Sequence, residues 1–403
     1  MRTDQPVPHR PEGPARAPEI VGSDPAGFPW SVFHDRHPLL FQQLRDALPY
    51  PPDALRRLAE FEAEAVHGVI GPLEPSAHDR ADWDLWSRPY LGLPWTEPPF
   101  LWAEVYFYRR LLSATGYFGP GPMRGVDPFA PLKEAELLGP AVDQELAALD
   151  RLAGLDQAEL SCALLLSSLW GNRADLSFEI SADRADGPPA QESAPGALLV
   201  DDRAAVLSHL RDRPPGRVCL IADNAARELL PDLVLLDHLL GSGLAASATL
   251  YVKPQPCYVS DATVADTLAA LRRLRDAPGA AGRTGARLWR AVGSGRLAVS
   301  THAFFCAPFP FRDMPDDLRA ELASATLTLT KGDLNYRRLV EDRHWPATTP
   351  FAAVTAAFPG PVAALRTVKS DVVVGLDPAT AAALESHPGW RTSGTRAVLQ
   401  FRP

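Results

Sequence analysis

The sequence predicts an α/β protein: a mostly parallel sheet flanked by helices, preceded by an N-terminal helical domain. Two rhythms predict it. From His37 to about Trp170, apolar residues recur at three- and four-residue steps in LLFQQLRDAL, DALRRLAEFEAEAVHGV, FLWAEVYFYRRLL and AELSCALLLSSLW, the period of a helix face. After a polar break at 181–195, SADRADGPPAQESAP, short β-rich runs alternate with helical patterns, as stacked βα units require.

Taken in order, residues 1–28 are rich in proline and glycine and too poor in apolar groups to offset the entropy of ordering, which predicts a flexible tail or a loosely draped strap. Residues 29–180 form the helical domain, with prolines between its segments marking helix ends. Residues 181–197 read as a linker. Residues 198–403 form the α/β catalytic domain, in which RVCLIA precedes ARELLPDLVLLDHLL, ATLYVK precedes TVADTLAALRRLR, RLAVST precedes PDDLRAELA, ATLTLT precedes LNYRRLVED, and VAALRTVK closes the series. No internal repeat is visible.

Composition narrows the function. A net charge of -9 over 403 residues, with no long block of either sign, does not advertise a nucleic-acid surface and leaves a small molecule as the expected partner. The cysteines, Cys162, Cys219, Cys257 and Cys306, are widely spaced in apolar surroundings without a C-x-x-C, the pattern of reduced core thiols and a cytoplasmic protein. The N-terminus carries charge and proline where a signal peptide is apolar, and no run of about 18 apolar residues occurs, so neither secretion nor membrane insertion is expected. The sequence does not indicate an oligomeric state.

Ligand sites of open α/β sheets lie beyond the carboxyl ends of the strands, and the residues there are unusually polar. Asp223 and Asn224 follow the first predicted strand, Asp261 follows the second, His302 the third, Lys331 through Arg337 (with Asp333, Asn335 and Tyr336) the fourth, and Lys369 the last. Asp223, Asn224 and Asp261 offer oxygen ligands, a hard set suited to Mg²⁺ or Mn²⁺, and three protein ligands leave positions open for water and substrate. The plainer alternative is that Asp223 and Asp261 each cap the helix that follows. Lys331, Arg337 and Lys369 supply positive charge for a phosphoryl group; each alone reads more readily as a solvated surface charge, and their position after β-rich runs is what favours the phosphoryl reading. Gly332 permits close backbone approach. Upstream, Asn172 and Asp175 are candidates to orient a metal ligand, Asn172 also to contact substrate; an Asn helix C-cap is the alternative. Glu104 and Arg109 interrupt an aromatic stretch that otherwise reads as core.

The segments IADNAARELLPDLVLLDHLL, YVKPQPCYVSDAT, LTLTKGDLNYRRLVEDRHWPATTPF and RTVK, with LWGNRADLS and WAEVYFYRRL upstream, resemble, in the same order, blocks of the damage-control phosphatases once called domain of unknown function 89. The similar subgroup is subfamily III, marked by Arg-Thr-x-Lys, here Arg366 to Lys369. The resemblance runs from about Ser31 to the C-terminus. It implies a Rossmann-like core and a metal-dependent phosphatase acting on phosphate monoesters of small metabolites, such as fructose 1-phosphate and fructose 6-phosphate, or on a pathway-specific phosphorylated intermediate. It also implies Asp223, Asn224 and Asp261 as ligands of a divalent cation (Mn or Mg, with Co or Ni as further options). Asp333 through Arg337 and Lys369 then stand at the substrate, with Glu228 near the site. The subgroup is also linked to S-adenosylmethionine-dependent carboxyl methylation, so a methyltransferase stays open as an alternative, as does a non-catalytic sugar-phosphate binder. One departure stands out. The family reads Asp-Asn-Ala-Gly-Phe-Glu where this chain has Asp223-Asn224-Ala225-Ala226-Arg227-Glu228. Arg227, in place of an aromatic, would change which ester fits if it entered the pocket.

Overall fold

A computed structural model describes residues 16–171, 198–387 and 389–403. The first half is helical: α1 (His37–Ala47), α2 (Pro52–His67), α3 (Arg80–Ser87), α4 (Phe100–Thr115), α5 (Ala130–Leu137), α6 (Pro140–Ala148) and α7 (Gln157–Trp170). The local reasons are visible in the chain. In α2 the buried residues Ala54, Leu58, Phe61 and Ala65 fall at four- and three-residue steps on one face. Helix α7 opens on a reciprocal capping box between Asp156 and Glu159.

The second half continues as β1 (Leu198–Asp201), α8 (Arg203–Arg211), β2 (Arg217–Ile221), α9 (Leu229–Gly241), β3 (Ser247–Val252), α10 (Val264–Arg275), α11 (Gly279–Gly293), β4 (Leu297–Thr301), α12 (Asp316–Ala323), β5 (Leu327–Lys331), α13 (Gly332–Leu339), β6 (Val362–Thr367), α14 (Pro378–Glu385) and β7 (Ala397–Arg402). The strands form one seven-stranded sheet in the order β1-β7-β6-β5-β2-β3-β4. Strands β2 to β6 run parallel, whereas β7 is antiparallel to β6 and parallel to β1. The mostly parallel, helix-flanked sheet expected from the alternating rhythm is therefore present. It has two strands more than the five predicted, β1 and β7.

The sheet is buried on both faces, with its side chains sorted by the two-residue period of a strand. Cys219 and Ile221 of β2 join a core with Phe41, Phe61, Trp102 and Phe107 of the N-terminal helices. Val218 and Leu220 join a second core with residues of α7, α9 and α10. Residues 16–27, expected as a flexible tail or loose strap, run across the start of α4, where the Phe100 N–H donates to the Ile20 carbonyl at 2.8 Å and the Gly22 N–H to the Thr96 carbonyl at 2.9 Å. The predicted linker, 181–197, lies outside the described residues. All four cysteines are free thiols, Cys219 and Cys257 buried. Among the described residues no helix is long and apolar enough to cross a membrane.

Chain order reverses between β5 and β2: successive strands move from β2 to β3 and β4 in one direction, and the chain then returns to place β5 and β6 on the other side of β2. In open α/β sheets ligands bind beyond the strand ends at such a reversal, and here it is the residues that follow β2 and β5 that stand there.

Candidate active site

Asp223 lies two residues past the end of β2, and a returning strap brings Asp261 beside it. The lacing is backbone hydrogen bonding. The Ala225 N–H donates to the Ser260 carbonyl at 2.7 Å, the Ala262 N–H to the Asp223 carbonyl at 2.8 Å, and the Lys253 N–H to the Ala262 carbonyl at 2.8 Å. Asn224 and Asp261 form an antiparallel bridge at the centre of this lacing. Asn224 is oriented from both ends of its amide: Nδ2 donates to Glu228 Oε2 at 2.8 Å, and Oδ1 accepts from Ser260 Oγ at 2.6 Å. Neither aspartate caps a helix. The N-cap residue of α10 is Thr263, which forms a capping box with Asp266, and that of α9 is Glu228.

Asp223 and Asp261 are both buried. Burial pushes the Asp223 carboxyl well above its ordinary range, helped by the negative charges of Glu228 and Asp261 and opposed by Lys253 and Lys369. Burial likewise raises Asp261, against the pull of Lys253 and Lys133. Lys253 Nζ stands 3.2 Å from Asp261 Oδ2 and donates to the Phe305 carbonyl at 2.9 Å. That contact is an ion pair without hydrogen-bond geometry, and Asp261 Oδ2 has no hydrogen-bond partner. Gly332 closes the opposite side, with φ +79° and so little room that an added Cβ would fall 1.8 Å from Asp223 Oδ2.

Two buried carboxylates with mutual repulsion, one oxygen of which lacks a hydrogen bond, and an oriented amide are the donor chemistry of a hard divalent cation. The residues present fit such an ion. Among the described residues no group of three or more His, Cys, Asp or Glu that could hold a metal ion comes together, so an ion here would be held by the two carboxylates and the amide.

The other predicted residues do not all reach this cluster. Glu228 joins the cluster through Asn224. Lys369 is exposed at the rim, close enough for its charge to act on Asp223, and its backbone N–H lies 3.4 Å from Asp333 Oδ1. Asp333 is pushed up by burial but more strongly down by Arg366, Arg337 and a hydrogen bond from Ser370, and ends below the usual carboxylate range.

The side chains of Lys331, Asn335, Tyr336 and Arg337 are turned into buried partners. Lys331 Nζ donates to the Ser168 carbonyl and stands 3.2 Å from Asp232 Oδ1, whose carboxyl is pushed up to about 6 mainly by burial. Asn335 Nδ2 donates to the carbonyls of Ala222 at 3.0 Å and Lys331 at 2.8 Å, stapling the ends of β2 and β5 together. The Tyr336 hydroxyl donates to Gln400 Oε1 at 2.9 Å. Arg337 donates to Glu104 Oε2 at 2.6 Å and to both oxygens of Asp342 at 2.9 and 2.8 Å. Asn172, with Asp175, lies outside the described residues.

His302 caps the short turn after β4, accepting from the Phe304 N–H at 3.0 Å on the edge strand. Arg109 pairs with Asp79 within the helical layer. Arg227 donates to Glu145 of α6 at 2.9 Å, so the arginine that replaces the family's aromatic is committed to the helical layer. Sequence reasoning missed Lys253, Ser260 and the anchoring use of Arg366. Lys253 is a single lysine ending an apolar run, and its role depends on a strap that returns eight to ten residues later.

The family profile of the damage-control phosphatase ARMT1-like domain matches residues 32–384. Damage-control phosphatase ARMT1 of Mus musculus is 31% identical over 96% of this chain and 99% of its own length, and that of Homo sapiens 30% identical over 95% and 98%. The Danio rerio protein of the same name is 35% identical over 76% of this chain and 74% of its own. A crystal structure of a DUF89 family protein from Pyrococcus horikoshii aligns over 90% of this chain and 94% of its own with a TM-score of 0.48 and 15% identity. With its profile spanning most of the length and its relatives aligned nearly end to end, the chain belongs to the ARMT1-like damage-control phosphatases.

Proposed function

We propose that this protein is a divalent-cation-dependent phosphatase of the cytoplasm that hydrolyses phosphate monoesters of small metabolites, with sugar phosphates of the fructose 1-phosphate and fructose 6-phosphate type as its substrate class. The observation that carries the reading is the pairing of buried Asp223 and Asp261 around Asn224, with an Asp261 oxygen that meets the Lys253 ammonium but no hydrogen-bond donor in good geometry, at the β2/β5 reversal. Asp223, Asn224 and Asp261 would hold the cation, Mn²⁺ or Mg²⁺ by the hardness of the oxygen donors. When bound, the cation supplies positive charge for the phosphoryl oxygens.

The chain's own residues do the rest. Glu228 and Ser260 fix the rotation of Asn224, so its amide oxygen is presented in one direction. Gly332 keeps the β5 end from occluding Asp223. Lys369 brings a solvated charge to the rim, where it offsets the negative charge of a phosphate monoester. The buried ion pair of Glu104 and Arg337 fastens the helical layer to the helix that follows β5.

The test is phosphate release by EDTA-stripped protein from a panel of sugar and nucleotide phosphates, with each of Mn²⁺, Mg²⁺, Co²⁺ and Ni²⁺ added back. Release should require the cation and fall by roughly two orders of magnitude or more in Asp261→Asn with the fold retained. Undiminished release by Asp261→Asn would refute the ligand assignment, and no release with any cation would refute the phosphatase.

A further inference from the structure

The loop that carries Lys369 is folded around a buried arginine. Arg366, at the end of β6, has 0% solvent exposure and lies 4.3 Å over the centre of the Tyr336 ring. Its guanidinium donates to the Val372 carbonyl, to the Ser370 carbonyl at 3.1 Å and to Ser370 Oγ at 2.9 Å, so the loop's polar groups point inward at it. Arg366 Nε donates to Asp333 Oδ1 at 2.8 Å. The same oxygen accepts from Ser370 Oγ at 3.1 Å and faces the Lys369 N–H at 3.4 Å. On the outer side, Val368 exchanges backbone hydrogen bonds with Arg396 at 2.8 Å and Gly394 at 3.0 Å. Lys369 is exposed at the tip of this bound loop.

A guanidinium enclosed in this way cannot meet a solvated phosphate, and one oxygen of Asp333 is already occupied three ways. A lysine side chain is long and flexible, and where its ammonium can go is set by where its backbone is held. We propose that Asp333 and Arg366 are positioning residues: a buried ion pair that fixes the Lys369 loop at the rim of the candidate site and acts on a bound phosphoryl group only through Lys369. This assigns Asp333 to the loop's interior and not to direct substrate contact. It rests on reading Lys369 as the residue that meets the phosphate.

The consequence is coupling. Ser370→Ala and Asp333→Asn should raise KM for the ester by about tenfold with kcat within about twofold, because misplacing one binding charge weakens ground-state and transition-state contacts alike. Mn²⁺ affinity, read by the electron paramagnetic resonance of free Mn²⁺, should stay within about twofold of the parent, since neither residue touches Asp223 or Asp261. In a Lys369→Ala background, Ser370→Ala and Asp333→Asn should add less than about twofold to KM, because their effect travels through a group already removed.

Hydrogen exchange of the full-length protein provides a readout independent of turnover. Exchange of the 368–372 segment should accelerate by at least about tenfold in both variants, while the 260–263 strap keeps its protection. Multiplying KM effects in the Lys369→Ala background, or unchanged protection of 368–372, would overturn the proposal. Should the parent protein release no phosphate with any cation, the proposed function fails on its own, and exchange alone decides whether this ion pair holds the loop.

Discussion

Two residues in left-handed backbone show how local geometry decides what each position tolerates. Ala226, in the turn that follows Asn224, has φ 52°, at the position where the family reads glycine. The left-handed conformation costs a non-glycine residue about 1–2 kcal/mol. Against this, Ala226 buries its methyl in the second core, worth about 0.8 kcal/mol, and restricts the unfolded chain by about 0.4–1 kcal/mol relative to glycine. The terms nearly cancel. Ala226→Gly is therefore expected to shift stability by less than about 1 kcal/mol in denaturant unfolding, and a larger change would contradict the balance. Gly332 has a comparable φ of +79° and no such balance, because its missing Cβ is the space that Asp223 Oδ2 occupies. Gly332→Ala should weaken Mn²⁺ binding by roughly 10–100-fold, and retention of the parent affinity would show that Asp223 moves aside without cost.

At the scale of elements, α4 and α13 meet through a buried charge. Arg337 lies between Glu104 and Asp342 with its guanidinium 4.4 Å over the Phe100 ring, and burial raises the Glu104 carboxyl even though Arg337 lowers it. Removing the cation would leave two buried carboxylates without their partner, which costs more than an intact pair contributes. Arg337→Met should destabilise by about 3–5 kcal/mol in denaturant unfolding, whereas Arg337→Lys, which keeps the charge but not the fork, should fall between it and the parent. Equal stability of Arg337→Met and the parent would mean the carboxylates protonate at no cost.

The same contact marks the limit of what the sequence reveals. Asp223 and Lys369, just past the ends of β2 and β6, and Asp261, on the strap after β3, were legible because polar residues followed several β-rich runs in succession. The side-chain directions of Lys331, Tyr336 and Arg337 were not, since pairing with Asp232, Gln400 and Glu104 depends on elements far apart in the chain. Strands β1 and β7 escaped for another reason. Leu198–Asp201 has four residues, none fully buried, and β7 runs antiparallel to β6 and so lies outside the parallel βα series.

The whole molecule couples its acid–base balance to the candidate cation site. In the metal-free protein the folded pKa values of Asp223 and Asp261 stand above their unfolded values. The native state therefore binds more protons than the unfolded chain between those values. Their contribution is fully present below the unfolded pKa and is lost as pH rises through the folded one. Asp333 acts in the opposite direction, because its folded pKa is depressed. Its stabilisation is present above the ordinary aspartate range and is lost only as pH falls below it. In EDTA the raised pair contributes stability that declines as pH climbs, whereas His37, whose buried imidazole is pushed down to about 3, contributes in the opposite sense. A saturating cation reverses the trend, since it binds the ionised native carboxylates and not the unfolded chain, adding about 2.7 kcal/mol at a hundredfold excess over Kd. Calorimetric unfolding in EDTA and in Mn²⁺, at about pH 5 and about pH 7.5, should show a gain in Tm from the cation that is clearly larger at the higher pH. A gain of the same size at both would mean that proton and cation do not compete for Asp223 and Asp261, and that the ion is held elsewhere.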